Sequence, residues 1–323
     1  MHGMSVGCLD GGPKIERKFE DPARTVKGER RATVHFRGLD TLWVNTGTLC
    51  NIECANCYIE SSPLNNRLSY FTASDLVSLL DETARIRQTP RLIGFTGGEP
   101  FMNPAMIDML NIVMSRDHDV LVLTNAMRPM MRARIQAALL ELRSRFPKRL
   151  ALRVSLDHWR AGLHDEERGT KSFDIALRGL KWLAGCRFQV SVAGRLRWGD
   201  GEEAMRQGYR KLFASSGIDI DAFDPEALVL FPEMDETAPV PEISEGCWTI
   251  LGKRPDDMMC ATSRMVVKRR GAAGPSVVAC TLLPYDERFD FGPHLANSLS
   301  PVRLNHPHCA KFCVLGGGSC SSG

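Results

Sequence analysis

The stretch "CNIECANCY" (residues 50–58) places Cys50, Cys54 and Cys57 within eight positions, at C-x3-C-x2-C spacing. It comes three residues after "TLWVNT" (41–46), a run that reads as a β-strand. Three thiols this close make a poor apolar core and a poor disulfide framework. They can hold three irons of a cubane cluster and leave the fourth iron open. A structural zinc site is the alternative, but it wants four ligands, usually in C-x2-C pairs. An electron-transfer cluster also wants four cysteines. Three thiolates therefore point to a cluster with a free coordination position, which is a reactive arrangement.

Outward from this loop, strand and helix signals alternate. "TASDLVSLLDETARI" (72–86) carries apolar residues at helical spacing, with Thr72 or Ser74 as its cap. "RLIGF" (91–95) is a strand that runs into "TGGEP", and "PAMIDMLNIVMS" (104–115) is a helix with proline at its start. "DVLVLTN" (119–125) is a strand, "MMRARIQAALLELRSRF" (130–146) an amphipathic helix and "LALRVSLD" (150–157) a strand. Helix 173–184, strand 188–195, helix 201–215 and strand 226–232 follow. Strands apolar on both faces, alternating with helices, predict a parallel sheet covered by helices. Six such units predict an α/β fold of the partial (β/α)6 barrel type. Cys50, Cys54 and Cys57 then lie past the carboxyl end of the first strand, the edge where such folds gather their ligands.

Residues 1–40 are polar and mixed in charge and read as a leader with little core. The barrel is expected over 41–235. A proline-rich acidic linker, "PEMDETAPVPE", separates it from a small cysteine-rich domain, 236–323. That segment holds six of the eleven cysteines: Cys247, Cys260, Cys280, Cys309, Cys313 and Cys320. "MVVKRRGAAGPSVVAC" (265–280) reads as a β-hairpin with a glycine-rich turn. Cys8 and Cys186 read as small hydrophobes or incidental thiols, and the methionines 106, 109, 114, 127, 130 and 131 as core.

Net charge is +3 for 323 residues, so no strong polyanion partner is implied. The arginines of 128–153 fall on a helix-like segment and read as a solvated face, not a nucleic-acid surface. The opening "MHGMSVGCLDGG" does not read as a signal sequence, since it lacks a charged start followed by an apolar run, and no apolar run is long enough for a bilayer. The expected location is the cytoplasm, with no membrane partner. In a reducing compartment clustered cysteines bind metal or do chemistry more often than they pair.

A C-x3-C-x2-C loop after the first strand and "GGEP" after the second resemble the radical SAM superfamily, over about residues 41–232. That family usually has an aromatic residue just before the last cysteine. Asn56 stands there in this chain, and Tyr58 follows Cys57. The resemblance implies a [4Fe–4S] cluster on Cys50, Cys54 and Cys57. It also implies S-adenosylmethionine bound at the open iron and cleaved to a 5′-deoxyadenosyl radical. It assigns Gly97, Gly98, Glu99 and Pro100 to the methionine amino group, with Asn125 near the cofactor. Ser155 and Asp157 fall toward ribose and carboxylate, and Arg195 toward the carboxylate.

"DHWRAGLHDEERG" (157–169) resembles a stretch of radical SAM enzymes with extra clusters. It makes His164, Asp165 and Arg168 candidates for the substrate side, or else a helix cap with a surface ion pair. His158 is equally open, and Glu233 and Asp235 either ring the pocket mouth or start the linker. The tail resembles the twitch or SPASM appendage. It implies at least one auxiliary [4Fe–4S] cluster drawn from Cys260, Cys280, Cys309, Cys313 and Cys320, with zinc as the alternative. Cys247 is a further ligand or a buried thiol.

The function expected is hydrogen abstraction from a small molecule, with peptide maturation as the second enzymatic reading. A reducing partner such as flavodoxin or ferredoxin is implied. A non-catalytic iron–sulfur or zinc redox sensor is the rival of another class.

Overall fold

The computed structural model describes residues 17–233, 235 and 239–318. Chain order begins with β1 (Thr33–Val34), β2 (Thr41–Asn45) and α1 (Ala73–Arg85). Next come β3 (Leu92–Thr96), α2 (Met106–Ser115), β4 (Asp119–Thr124), α3 (Ala133–Arg145) and β5 (Leu150–Ser155). Two helices follow β5: α4 (Ala161–Arg168) and α5 (Ser172–Gly185). Then come β6 (Gln189–Leu196), α6 (Glu202–Ser216) and β7 (Leu228–Pro232). The last part holds α7 (Cys247–Leu251), β8 (Ser263–Val267), β9 (Ser276–Val278), β10 (Val302–Arg303) and a π-helix, Cys309–Leu315.

The sheet has eight strands in the order β7-β6-β5-β4-β3-β2-β8-β9. All neighbours are parallel except β8 and β9. This is the partial barrel of an α/β protein. Its strand faces divide by the two-residue period. Leu42, Val44, Ile93, Phe95, Val120, Val122, Leu152 and Val154 pack against the helices. Trp43, Leu121, Leu123, Ala151, Met265 and Val267 face the interior with the C-terminal segment.

Local chemistry sets the element ends. The Thr72 side chain accepts from Asp75 N, and Asp75 accepts from Thr72 N, so α1 starts on a reciprocal capping box. Thr72, rather than Ser74, is therefore the cap. Leu76, Leu79, Leu80 and Thr83 form the buried stripe of α1. α2 begins at Met106 because a 3-10 turn, Pro100–Met102, comes first. Asn103 then fixes the entry, donating to Thr46 O at 2.9 Å and Phe71 O at 2.8 Å.

Two expectations change. The sheet does not stop at residue 232: β8 adds a parallel strand beside β2, so the sheet holds seven parallel strands and not six. Residues 17–40 are also not an idle leader. Phe19, Ala32 and Val34 are buried, and β1 pairs with β10. Arg31 and Glu242 form a buried ion pair at 2.6 Å. Polar composition hid this, because the few buried residues stand among charged ones that stay exposed, and only Arg31 carries its charge inward.

Candidate active site at the carboxyl edge

The cysteine loop leaves β2 through a tight turn in which Gly47 N donates to Asn45 Oδ1 at 3.0 Å. Cys50 N then donates to Ser62 O at 3.0 Å, and Ser61 N to Cys57 Sγ at 3.4 Å. Cys50, Cys54 and Cys57 line one cavity of about 1070 Å³, counted to its open mouth. The three thiols are free. Burial pushes Cys50 up to about 12 and Cys54 up to about 11. Such thiols stay protonated until a metal takes them as thiolates.

The "GGEP" turn docks on the backbone of this loop. Gly98 N donates to Gly47 O at 2.8 Å and Glu99 N to Leu49 O at 3.2 Å. A Cβ on Gly98 would stand 2.2 Å from Leu49 O. Gly97 has φ +129°, and a Cβ there would stand 2.5 Å from Gly47 O. The glycine pair is thus required by backbone contact within the protein itself.

Gly97, Gly98, Asn125, Ser155, Asp157, Arg168 and Arg195 line the cavity together with the three cysteines. Asn125 Nδ2 lies 3.8 Å from Cys50 Sγ and 3.0 Å from Asn51 Oδ1. Glu99 and Pro100 do not line it. The Glu99 carboxylate accepts instead from Thr124 Oγ1 at 2.9 Å, Asn125 N at 2.9 Å and Phe101 N at 3.2 Å. It braces the end of β4 against the turn, so any effect on the cofactor passes through Asn125 and the glycines.

Burial raises the Glu99 carboxyl to about 7, against those hydrogen bonds. The fold therefore favours the protonated acid, with the Thr124 hydroxyl able to turn and accept. Its contribution is complete below about pH 4.5 and is lost as pH rises toward about 7. The metal-free protein is expected to lose stability across that window more steeply than Glu99→Gln, measured by denaturant titration at successive pH values. Equal slopes contradict this. Glu99→Ala strands three buried donors and is expected to cost about 3 kcal/mol or more.

The candidates of 157–169 separate by helical phase. In α4, His164, Glu167 and Arg168 share one face at i, i+3 and i+4, while Asp165 points to α5. Asp165 caps α5, accepting from Lys171 N at 2.7 Å, Phe173 N at 2.8 Å and Ser172 Oγ at 3.0 Å. His164 accepts from Asp157 N at 3.1 Å, stacks edge-on to Phe173, and is pushed down to about 4 by burial. Neither lines the cavity, and both hold structure. Arg168 alone of the three lines it, in a two-point ion pair with Asp157 at 2.5 and 3.0 Å. Burial would raise the Asp157 carboxyl, but Arg168 outweighs it and holds it below its usual range. His158 is buried against Asp200 at 3.1 Å, outside the cavity lining.

Arg195 pairs with Glu167 at 2.8 Å and Glu233 at 2.9 Å. Its Nε, buried in the cavity wall, has no partner among the described residues. Sequence reading missed Glu167, and also Leu282, Phe231 and Phe312 in the same lining. Phe231 stacks on Phe312 at 5.6 Å, closing the cavity between β7 and the π-helix. Charge in "HDEERG" could have exposed Glu167, had the helix phase been applied. Nothing local marks the aromatic pair, because its partners lie 81 residues apart.

In the C-terminal part, the hairpin register is Val267↔Ser276 and Met265↔Val278. This antiparallel pairing carries Cys260 and Cys280 back toward each other. Both act electrostatically on the buried Cys309 thiol, which burial first of all raises. Cys313 lies one turn further along the π-helix. Cys320 and Cys8 lie outside the described residues. Cys247 accepts from Ser244 N at 3.4 Å. Among the described residues, no three His, Cys, Asp or Glu groups converge on a single metal ion. No helix among them is long and apolar enough to cross a membrane.

A half-open parallel barrel with three thiols and a glycine turn at its carboxyl edge defines a class of cofactor-binding protein. Residues 44–196 match the Radical SAM superfamily, and the chain carries a radical SAM domain. Two curated relatives align with it. The "antilisterial bacteriocin subtilosin biosynthesis protein AlbA" of Bacillus subtilis is 31% identical over 149 residues, 45% of this chain and 30% of that one. The "mycofactocin maturase MftC" of Mycobacterium tuberculosis is 30% identical over 158 residues, 47% of this chain and 37% of that one. The matched stretch thus spans only about a third of each relative. Streptococcus suis SuiB bound to S-adenosylmethionine shares the fold, with TM-score 0.57 at 12% identity, over 79% of this chain and 63% of that one.

Proposed function

We propose that the chain reductively cleaves S-adenosylmethionine and uses the resulting radical to abstract hydrogen from a peptide substrate. The observation that carries the chemistry is the docking of the "GGEP" turn on the cysteine loop, which brings three free thiols and the strand-end polar groups to one cavity. When bound, a [4Fe–4S] cluster would supply an open iron for the methionine end of the cofactor and the electron that breaks its sulfonium bond. Cys50, Cys54 and Cys57 would hold it as thiolates. Gly97 and Gly98 present main chain to the amino group, and Arg195 Nε is the free donor for a carboxylate. Ser155 and Asn125 offer polar contacts beside them, while the Arg168–Asp157 pair keeps a cation in the wall without a net charge. Phe231, Phe312 and Leu282 give the cavity an apolar wall.

Sequence alone favoured a small molecule. The relatives favour a peptide: one serves bacteriocin biosynthesis, another is a maturase, and SuiB is known bound to the precursor peptide SuiA. Peptide pools that raise 5′-deoxyadenosine yield above the substrate-free level support this reading. Stimulation by metabolite pools alone returns the small molecule. The setting proposed is the cytoplasm, with flavodoxin or ferredoxin as reductant.

The tail is proposed to hold an auxiliary [4Fe–4S] cluster through Cys260, Cys280 and Cys309, with Cys313 or Cys320 completing it. The hairpin register and the electrostatic influence of Cys260 and Cys280 on Cys309 support this. Replacing Cys50, Cys54 and Cys57 together is expected to leave tail-bound iron visible by Mössbauer spectroscopy. Stoichiometric zinc in place of iron would make the tail a structural site.

A further inference from the structure

We propose that Glu167 is the positioning residue of the cysteine loop, a buried clamp on the Ala55–Asn56 dipeptide between two of the three thiols. The proposal rests on the reading of those thiols as cluster ligands. Glu167 Oε1 accepts from Asn56 N at 3.0 Å, and Oε2 accepts from Asn56 Nδ2 at 2.8 Å. The Glu167 carbonyl accepts from Ala55 N at 2.8 Å. Both main-chain amides between Cys54 and Cys57 thus end on one residue. That residue's side chain is only 2% exposed.

The same carboxylate meets Arg195 at 2.8 Å and Arg197 at 3.3 Å. Arg195 continues to Glu233, where the chain leaves the barrel. The carboxylate therefore has a charge partner on one side and loop donors on the other. A buried charge so placed is costly to leave half-paired, which makes the arrangement rigid. Asn56 is the matching half. An aromatic or aliphatic side chain at 56 has no amide to give Oε2. The loop is thus held by hydrogen bonds from α4 where packing of a ring would otherwise serve. The relative placement of Cys54 and Cys57 follows from α4, and α4 is fixed to β5 by the Arg168–Asp157 pair.

The test uses Glu167→Ala, Glu167→Gln and Asn56→Ala in the full chain. In metal-free protein, hydrogen exchange at residues 55 and 56 is expected to quicken about tenfold or more in Glu167→Ala, with the β3 and β4 amides unchanged. Asn56 is an exposed loop position, so Asn56→Ala reports even if Glu167→Ala fails to fold. Its expected rise is about tenfold or more, the loss of one hydrogen bond to a charged carboxylate. After reconstitution, Glu167→Gln is expected to raise the reduction potential of the loop cluster, because a negative charge beside it is gone. Unchanged exchange at 55 and 56 in both alanine variants overturns the clamp. So does a potential identical to wild type in Glu167→Gln. If the exchange responds as expected but wild-type protein binds no iron at the loop, the clamp stands and the cluster reading fails.

Discussion

Cys54→Ala is expected to abolish 5′-deoxyadenosine formation while leaving the protein folded. Cys54 sits on a loop at the cavity edge and is only partly buried, so its loss opens no hole in the core. The sheet, its helices and the apolar cluster on their shared face contain no part of the loop's metal chemistry. A cluster with two protein ligands has lost the geometry that leaves a single open iron. The expected results are unchanged circular dichroism, less iron after reconstitution and product at background. Cys50→Ala and Cys57→Ala should agree in product. Cys50 is the more buried thiol, so some loss of thermal stability should accompany its removal. Wild-type-like product from Cys54→Ala contradicts the ligand assignment.

Gly98→Val is expected to be the most damaging change outside the cysteines. Its Cβ would lie 2.2 Å from Leu49 O, and the next nearest atoms are also backbone, so no side chain can move aside. The turn must leave the loop, losing the bonds from Gly98 N to Gly47 O and from Glu99 N to Leu49 O. Overpacking of this kind costs about 1–3 kcal/mol, before the broken hydrogen bonds are added. Iron retention should fall with the melting temperature, and Gly98→Ala should show the same defects in weaker form. A Gly98→Ala protein with wild-type melting temperature and wild-type product yield contradicts the docking account.

The barrel elements were legible because periodicity and burial agree there. The strand read at 119–125 is observed at Asp119–Thr124, and the helix read at 201–215 at Glu202–Ser216. Helix start 133 rather than 130 shows the usual weakness at ends: Arg132 precedes it without a side-chain cap. The hairpin at 265–280 was legible from its glycine-rich turn, but its parallel pairing with β2 was not. Joining Thr41 to Ser263 is a long-range choice that no local pattern records.

At the site, the cysteine spacing announced the loop, and strand ends announced Asn125, Ser155, Asp157 and Arg195. Their partners were not legible. Asp157 is held by Arg168, and Arg195 by Glu167 and Glu233, across connections fixed only by the fold. Of the two readings open for Asp165, the helix cap is the one observed, at the start of α5.

The central claim is that the cavity at the carboxyl edge binds a cluster and cleaves S-adenosylmethionine. Its direct test is an anaerobic assay of reconstituted protein with S-adenosylmethionine and dithionite, with 5′-deoxyadenosine quantified by chromatography. The account predicts product from the wild-type chain in proportion to loop-bound iron, and none without reductant. Protein that carries its loop iron and binds the cofactor, yet forms no 5′-deoxyadenosine with any reductant, contradicts it.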